Sequence, residues 1–352
     1  MTATTEKHRE GKAGVGVLGG SGYIGAELLR YLSVHPRVDV RWASAKSSAG
    51  KSIAEHYPNL RGFVAGPFLS NEEAERRVGE VDCVFVALPH NSSQGVIPRL
   101  AAAHPKVVFI DLGGDFRTDD PVGYETFYAK QHEAPEWLSR FVYGFTELQR
   151  KKLSGAKLIA NPGCFASSIL LALAPLAARG KLHGEICLTG VTGSSGSGNT
   201  PSPTTHHPER AANFRSYKPL AHQHLLEVQG FLRSLTSERF GIHFIPCSGP
   251  FVRGIFTTAF VPGMKSDDLL SLYREFYEKE PLVSVGAGSP ELRWVQGTPR
   301  SALGVAGDSE VAVAFVVIDN LGKGAAGQAI QNMNLALGFA ETDGLRLPGG
   351  FV

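Results

Sequence analysis

The chain has 352 residues, and at about 150 residues per domain this length predicts two domains, or one domain with a large insertion. Hydrophobic residues make up 43% of the chain and charged residues 19%, which excludes the disordered, collagenous and coiled-coil classes. The 35 Lys and Arg residues against 33 Asp and Glu leave a net charge of +2, so nothing in the charge points to nucleic acid as a partner.

The cysteine content and the apolar runs predict a reduced, cytoplasmic protein. Four cysteines without a C-x-x-C pair are too few for a disulfide scaffold. No apolar run approaches the roughly 20 residues that span a bilayer, so no membrane is expected as a partner. Residues 1–12 are polar and of mixed charge, without the apolar centre of a secretory signal, and we predict a flexible tail there.

The first part of the chain alternates short apolar runs with helix-compatible segments. Strands are predicted at 14–18, 38–43, 81–88 and 107–110, and helices at about 22–32 and 95–103. This β-α-β alternation predicts an α/β fold with a Rossmann-type, doubly wound parallel sheet.

The later part of the chain predicts a second domain, of the α+β class. Strand-like runs occur in a less regular order, at 185–191, 241–247, 252–261 and 311–318, and a helical pattern follows at 325–337. The segment 192–208 is too rich in Gly, Ser, Thr and Pro to form a regular element.

A glycine-rich segment lies between the first predicted strand and the first predicted helix. It reads Gly19, Gly20, Ser21, Gly22, Tyr23, Ile24, Gly25 and satisfies G-x-G-x-x-G. Glycines there permit a tight turn and a close approach of backbone N–H groups to a pyrophosphate at the helix N-terminus. We therefore predict dinucleotide binding; a purely structural glycine turn is the alternative.

The end of the second predicted strand favours NADP over NAD. An NAD site usually places Asp or Glu there to hold the ribose 2′-hydroxyl. This chain instead has Ser44, Lys46 and Ser47, which suit a 2′-phosphate. The alternative is a solvated polar loop.

Cys164 is the predicted nucleophile. It follows a turn, Asn161-Pro162-Gly163, and precedes the helix-compatible run 169–178. At a helix N-terminus, orphan N–H groups and the helix dipole are expected to lower the pKa of the thiol and to favour covalent acyl transfer. The other three cysteines, Cys83, Cys187 and Cys247, are predicted to be buried apolar residues.

His222 is the predicted partner of this thiol, at the start of a helix of the second domain. His222, His224 and Glu227, with the pair at 206–207, also supply metal-ligand types, but no complete ligand set is evident and no metal is predicted. Surface histidines at a helix start are the third interpretation.

Together with further motifs, these residues resemble those of the N-acetyl-γ-glutamyl-phosphate reductases of arginine biosynthesis, relatives of aspartate-semialdehyde dehydrogenase. The resemblance runs from about residue 14 to the C-terminus. The matching stretches are Gly-Gly-Ser-Gly-Tyr-Ile-Gly at 19–25, Ala-Leu-Pro-His at 87–90, Asp-Leu-Gly-Gly-Asp-Phe-Arg at 111–117, Asn-Pro-Gly-Cys-Phe at 161–165, His-Gln-His at 222–224, Ile-Asp-Asn-Leu-Gly-Lys-Gly-Ala-Ala-Gly-Gln-Ala at 318–329 and Gln-Asn-Met-Asn-Leu at 331–335.

The resemblance implies a catalytic Cys164, a general acid/base at His222, and NADP on the glycine loop with contacts from Pro89 and Asn320. The predicted substrate-binding residues are Arg117, Asn161, Arg210, Arg215, Tyr217 and Arg253. The segment from Arg210 to Lys218 is more basic than the family pattern, and an ordinary charged loop is the alternative interpretation of it. The C-terminal helix would return to the nucleotide domain, giving an NADP domain of 13–163 plus 320–352 and a catalytic and dimerisation domain of 164–319. A homo-oligomer, either a dimer or a tetramer, is implied as well.

Several functions stay open at this point. The first is reduction of N-acetyl-γ-glutamyl phosphate to its semialdehyde through a Cys164 thioester. The basic segment from Arg210 to Lys218 also resembles sister enzymes of lysine biosynthesis, which reduce an α-aminoadipyl phosphate carried on a small acidic protein. Aspartyl phosphate as substrate and a catalytically silent dinucleotide-binding module are the remaining alternatives.

Overall fold

The computed structural model describes residues 11–350, so most of the predicted flexible tail, residues 1–10, lies outside the described residues. The strands of the described part are β1 Ala13–Leu18, β2 Val38–Ala43, β3 Cys83–Val86, β4 Val108–Asp111, β5 Val142–Tyr143, β6 Leu158–Ala160, β7 Gly184–Thr192, β8 Arg215–Ser216, β9 Phe240–Ser248, β10 Ile255–Pro262, β11 Val283–Ala287, β12 Ser301–Gly307 and β13 Val311–Ile318. The helices are α1 Tyr23–Ser33, α2 Ile53–His56, α3 Asn71–Arg76, α4 Ser93–Ala103, α5 Pro121–Tyr128, α6 Thr146–Leu153, α7 Cys164–Ala178, α8 His207–Arg210, α9 His224–Arg233, α10 Ser266–Tyr277 and α11 Gly327–Ala336.

The first sheet has six strands in the order β2-β1-β3-β4-β6-β5, and every pairing in it is parallel. Strands β3 and β4 are buried at every position, as expected where helices cover both faces. The order reverses between β1 and β3, which places a crevice at the carboxyl ends of these strands. The predicted Rossmann-type fold is confirmed.

The second sheet has seven strands in the order β11-β12-β13-β10-β7-β9-β8, with parallel and antiparallel pairs. The apolar helix α7 packs on one face of it with α9 and α10, which forms the largest core. The predicted second unit of the α+β class is therefore present.

The other face of this sheet is open, which overturns one prediction. Residues along β7 alternate between buried and exposed, and Cys187 falls on the exposed side. Cys83 and Cys247 are buried as predicted. Cys187 is exposed because period-2 alternation sends every second side chain of a strand to the uncovered face.

The end of the chain packs against the parallel sheet. After β13, a π-helical turn, Gly322–Ala326, leads into α11. Ala329, Ile330 and Met333 of α11 share a core with Val15 of β1 and Leu28 of α1. This contact agrees with the implied return of the C-terminal helix, although the exact division at 163/164 and 319/320 stays a prediction.

Candidate functional site

A cleft of about 1300 Å³ runs along the carboxyl ends of the parallel strands. The glycine loop lines one end of the cleft, and Cys164 and His222 line the other. The long loop after β7 covers it from the side of the second sheet. This is the place where open α/β sheets bind their ligands.

The geometry of the glycine loop explains its glycines. Gly19 has φ +80°, and a Cβ there would lie 2.5 Å from the carbonyl oxygen of Ala87. Gly25 lies against the backbone of Gly20, so a side chain at Gly25 would collide with the loop itself. A Cβ on Gly22 meets no atom within 4 Å, which leaves the loop backbone open to the cleft at the N-terminus of α1. This cradle fits a pyrophosphate.

Three side chains that sequence reasoning missed hold this loop in place. The Tyr57 hydroxyl donates to the carbonyl of Gly22 at 3.0 Å, and His56 Nε2 lies 3.4 Å from the carbonyl of Ser21. From the second domain, Asn199 Nδ2 donates to the same Ser21 carbonyl at 3.1 Å. None of the three lies near the loop in sequence, so no local pattern could have identified them.

The three residues predicted to bind the 2′-phosphate of the nucleotide lie in different environments in the structure. Lys46 is exposed and lines the cleft. Ser44 is buried, accepts from the Gly19 N–H at 3.3 Å and donates to Asn71 Oδ1 at 2.7 Å, so its side chain supports the loop. Ser47 is exposed and lies outside the lining of the cleft.

Two further predicted NADP contacts, Pro89 and the nicotinamide contact Asn320, both lie on the cleft. The Asn320 side chain is oriented by the N–H of Gly254, which donates to its Oδ1 at 2.7 Å, and by Ser195 Oγ, which accepts from its Nδ2 at 2.9 Å. The Asn320 amide is therefore fixed before any ligand binds.

Cys164 is the first residue of α7, as predicted, but the pKa of its thiol departs from the expectation. Burial raises this pKa to about 11, although the nearby Arg117 guanidinium and the N–H of Phe165 both lower it. The prediction of a lowered pKa was wrong because desolvation of the thiolate outweighs the helix terminus here.

His222 is buried with its ring 5.3 Å from that of Phe165, the neighbour of Cys164 in sequence, and it lines the same cleft, so it is not a surface histidine. Its Nδ1 accepts from the backbone N–H of His224 at 3.2 Å. Burial, reinforced by the Lys218 ammonium, lowers the pKa of His222 to about 4. At neutral pH the ring is therefore uncharged, and since Nδ1 is an acceptor, the ring proton lies on Nε2.

The neighbouring histidine packs against the loop that carries the nucleophile. His224 is buried with its ring against Gly163, and its pKa is lowered by burial. In residues 11–350 no group of three or more His, Cys, Asp or Glu side chains is placed to hold a metal ion.

Glu227 organises the loop that carries the nucleophile. Its Oε2 accepts from the N–H of Gly163 at 3.1 Å and from the Tyr143 hydroxyl at 2.6 Å, and its Oε1 lies 3.5 Å from Arg117 Nη1. Arg117 in turn donates from Nε to the carbonyl of Asn161 at 2.8 Å. The H-x-H spacing suggested Glu227 only as a metal ligand, whereas the structure places it beneath the nucleophile.

The structure brings some predicted substrate residues to the cleft and keeps others away. Arg117, Asn161, Arg215 and Tyr217 line the cleft with Cys164. The amide of Asn161 is engaged by backbone carbonyls and by a neighbouring asparagine.

Arg210 and Arg253 lie outside the cleft lining. Arg210 is buried, with Nη2 3.4 Å from the carbonyl of Thr192. Arg253 is bound by two carboxylates, Glu27 at 2.8 Å and Asp319 at 2.9 Å. The guanidinium of Arg253 thus ties α1 to the end of β13, and its role as an anion contact stays an unsupported prediction.

Two family models match the chain, and together they cover most of it. Residues 14–156 match the NAD binding domain of semialdehyde dehydrogenase, and residues 164–320 match the semialdehyde dehydrogenase dimerisation domain. No helix within residues 11–350 is long and apolar enough to cross a membrane.

Curated relatives resemble the chain over nearly its whole length. An N-acetyl-gamma-glutamyl-phosphate reductase of Methanopyrus kandleri is 42% identical over 95% of this chain and 98% of its own. A [LysW]-L-2-aminoadipate 6-phosphate reductase of Deinococcus radiodurans is also 42% identical, over 96% of this chain and 98% of its own. The resemblance predicted from the motifs is confirmed.

Solved structures share the fold at low sequence identity. Aspartate semialdehyde dehydrogenase II of Vibrio cholerae superposes with a TM-score of 0.71 at 18% identity, covering 93% of this chain and 98% of that one. The enzyme of Candida albicans, solved with NADP, gives 0.64 at 17% identity, covering 93% and 98%. The predicted enzyme class, an oxidoreductase with a nicotinamide dinucleotide cofactor, is confirmed by the family matches.

Proposed function

The chain belongs to the semialdehyde dehydrogenase family, and we propose that it is the NADPH-dependent reductase that converts N-acetyl-γ-glutamyl phosphate into its semialdehyde and phosphate. One observation carries this proposal: a single cleft joins the glycine loop to Cys164, His222 and a cationic group, Arg117. A dinucleotide site, a nucleophile and a cation in one cleft are what reduction of an acyl phosphate requires.

Cys164 performs the acyl transfer in this proposal. Its sulfur attacks the carbonyl carbon of the acyl phosphate, the bond from that carbon to the phosphate oxygen breaks, and the phosphate departs with the thiol proton, which leaves a thioester on Cys164. The raised pKa means that the thiol is protonated in the free protein. Arg117 lies close enough to favour the thiolate, and its charge also suits an incoming phosphoryl group.

His222 serves the oxygen of the reacting carbonyl. With Nδ1 accepting from the His224 N–H, the neutral ring presents its Nε2 proton as a hydrogen-bond donor. A neutral imidazole placed this way stabilises negative charge on an oxygen without carrying charge itself. The Nε2 proton would pass to the carbonyl oxygen as the hemithioacetal forms and return to Nε2 as the carbon–sulfur bond breaks. The semialdehyde is then released, and the Cys164 thiolate takes a proton from solvent.

The cofactor proposed is NADP, held by the glycine loop with Pro89 and Asn320 towards the nicotinamide end. When bound, NADPH supplies the hydride that reduces the thioester. Lys46 is the cation placed for a 2′-phosphate. Lys46→Ala should reduce the preference for NADPH over NADH by about tenfold, measured as the ratio of kcat/KM values.

The reverse reaction tests the proposal. Semialdehyde, NADP and inorganic phosphate are supplied, and reduced nicotinamide is followed by absorbance. A phosphate-dependent rise is expected. Forward turnover of N-acetyl-γ-glutamyl, carrier-bound α-aminoadipyl and aspartyl phosphates is then compared side by side, and no turnover of the acetylglutamyl substrate would refute the substrate assignment.

The carrier-bound aminoadipyl phosphate is the second candidate substrate. Arg215 and Lys218 are exposed at the rim of the cleft, where they form a cationic edge that suits an acidic carrier. The similarity to the Deinococcus radiodurans reductase supports the same substrate. Charge reversal, Arg215→Glu with Lys218→Glu, would raise KM for the carrier-bound substrate much more than KM for the small one.

A cytoplasmic homo-oligomer completes the proposal. The uncovered face of the seven-stranded sheet carries exposed apolar side chains, including Ile245 and Phe260. Exposed apolar residues on a sheet face favour association with a second copy. Phe260→Lys should lower the mass measured by sedimentation equilibrium, and an unchanged mass would exclude this face.

A further inference from the structure

A fully buried ion pair lies directly behind the nucleophile. The side chains of Lys323 and Glu147 are both 0% exposed, and the Lys323 ammonium donates to the Glu147 carboxylate and to Gln331 Oε1, the latter at 2.8 Å. Glu147 lies on α6, against the parallel sheet, and Lys323 lies in the π-helical turn between β13 and α11. The pair therefore anchors this turn to the nucleotide domain.

Stability alone is a poor explanation for this pair. Removing two charges from water is costly, and well-packed apolar side chains of similar volume often give equal or greater stability. The other carboxylate oxygen, Glu147 Oε2, has no hydrogen-bond partner within residues 11–350. Burying the pair therefore costs desolvation free energy that its hydrogen bonds do not fully offset, which points to a geometric role.

The anchored turn contacts the nucleophile segment at two points. A Cβ on Gly324 would lie 2.8 Å from the Cβ of Cys164, so the backbone of the turn forms the wall behind the thiol. The carbonyl of Ala325 accepts from Asn161 Nδ2 at 3.3 Å. Gly324 and Ala325 also line the cleft. Turns of π-helical geometry are frequent at functional sites, where they give the backbone a path that an α-helix does not.

We propose that Lys323 and Glu147 are positioning residues for Cys164: their ion pair fixes the π-helical turn, and the turn fixes the thiol relative to Asn320 and the cofactor end of the cleft. Neither side chain touches the reacting atoms. Displacement of reacting groups by about 1 Å can lower a rate by about 10²-fold, so a small shift of this wall is enough to matter.

The test is a double variant that replaces the pair by apolar side chains of similar length, Lys323→Met with Glu147→Met. Its melting temperature should stay within about 5 °C of wild type, because no lone charge remains buried. Its kcat should fall by about tenfold or more, with both KM values nearly unchanged. Lys323→Met alone should melt much earlier, since it leaves Glu147 buried without a partner.

The kcat measurement rests on the proposed function. A second measurement that needs no substrate therefore tests the positioning role separately. Iodoacetamide labelling of Cys164 is measured by peptide mass spectrometry against a model thiol, glutathione, in the same tube, since Cys187 lies on the sheet face proposed for association. The labelling ratio should change by more than about threefold in the double variant, because the wall behind the thiol relaxes. If the wild type reduces no acyl phosphate, the proposed function fails, whereas the labelling ratio still decides the positioning role.

Two further variants keep the test decisive. Asp82→Ala removes a hydrogen bond of 2.8 Å from the N–H of Gly14, at the amino ends of β1 and β3 and so opposite to the cleft, and should lower the melting temperature with kcat unchanged. Gly324→Ala presses on Cys164 without touching the ion pair and should lower kcat, and it replaces the double variant if that protein does not fold. Wild-type kcat and a wild-type labelling ratio in the folded double variant, or in Gly324→Ala where it replaces the double variant, would overturn the proposal.

Discussion

The two ends of the cleft are built in opposite ways. At the cofactor end, six of the seven consecutive residues 19–25 line the cleft, all but Gly20, and three of the six are glycines. At the nucleophile end, the thiol comes from α7, its partner His222 from the segment before α9, and its supporting carboxylate Glu227 from α9 itself. One end is a local motif, and the other is assembled by the fold.

The two ends of the cleft also differ in their electrostatics. The glycine loop relies on N–H groups and a helix terminus, which act wherever the loop folds. The nucleophile end relies on buried ionisable groups whose pKa values depend on every neighbour: burial raises the pKa of Cys164 and of Glu227 and lowers that of His222. We therefore expect substitutions at the nucleophile end to change turnover and those at the cofactor end to change affinity.

The largest effect should come from Cys164→Ser. A hydroxyl is a much weaker nucleophile than a thiolate, and we expect kcat to fall by at least about 10³-fold. NADPH affinity, measured by fluorescence titration, should stay unchanged if the two ends act independently. Cys187→Ser, on the open sheet face, is the matched control and should retain activity. Activity surviving in Cys164→Ser would refute the covalent mechanism.

The ionisation of the same thiol gives the next effect. Because burial raises its pKa to about 11, Cys164 should be alkylated at pH 8 about 10²-fold more slowly than a model thiol of pKa about 8.5. The rate should keep rising up to about pH 11, as the thiolate forms. A rate that reaches its plateau below pH 8 would show that the helix terminus and Arg117 outweigh burial.

The same shift has a consequence for stability. A folded-state pKa above the unfolded value stabilises the fold while the thiol is protonated in both states. This contribution is present below about pH 9 and is lost as the pH rises towards about 11. Urea unfolding of the wild type against Cys164→Ala between pH 8 and 10.5 measures it, and parallel curves for the two proteins would contradict it.

Glu227→Gln should have the third-largest effect on the reaction. The amide keeps the volume but has one acceptor oxygen for the Gly163 N–H and the Tyr143 hydroxyl, and it loses the charge opposite Arg117. We expect kcat to fall between about 10- and 100-fold, with KM for NADPH unchanged. Tyr143→Phe, which removes one donor and leaves the carboxylate, should cost less, and a loss as large as that of Glu227→Gln would contradict this ranking.

The contrast between the two ends also determines how much of each end could be predicted from the sequence. The strand at 38–43, the glycine loop and the position of Cys164 at a helix start follow from local patterns, and the structure has all three. The raised pKa of Cys164 does not follow from them, because the π-helical turn behind it comes from about 160 residues further along the chain.

Substrate residues were the hardest to predict for the same reason. Arg253 is a cation beside a strand, and its sequence neighbours do not reveal that Glu27 and Asp319 occupy its guanidinium. Glu227 was visible only as part of an H-x-H-x-x-E pattern, whose residue types suit a metal equally well. Tertiary contacts, not residue types, separate anion-binding cations from structural ones.

The smallest effect, about tenfold, is expected at the cofactor end, and a matched pair of glycines isolates its cause. Gly19 and Gly50 have nearly the same positive φ, +80° and +79°, but a Cβ at Gly19 lies 2.5 Å from Ala87 O whereas one at Gly50 meets nothing within 4 Å. Both Ala variants should lose about 1 kcal/mol or more of unfolding free energy from strain.

Only Gly19→Ala should also raise KM for NADPH, by about tenfold, because the loop must move away from Ala87 and its N–H groups then miss the pyrophosphate. Its kcat at saturating NADPH should stay near wild type, since Cys164 and His222 are untouched. If Gly50→Ala raised this KM equally, backbone strain rather than crowding would be the cause. If Gly19→Ala lowered kcat instead, the two ends of the cleft would be coupled through β1 and β3, and the division into a local and an assembled end would fail.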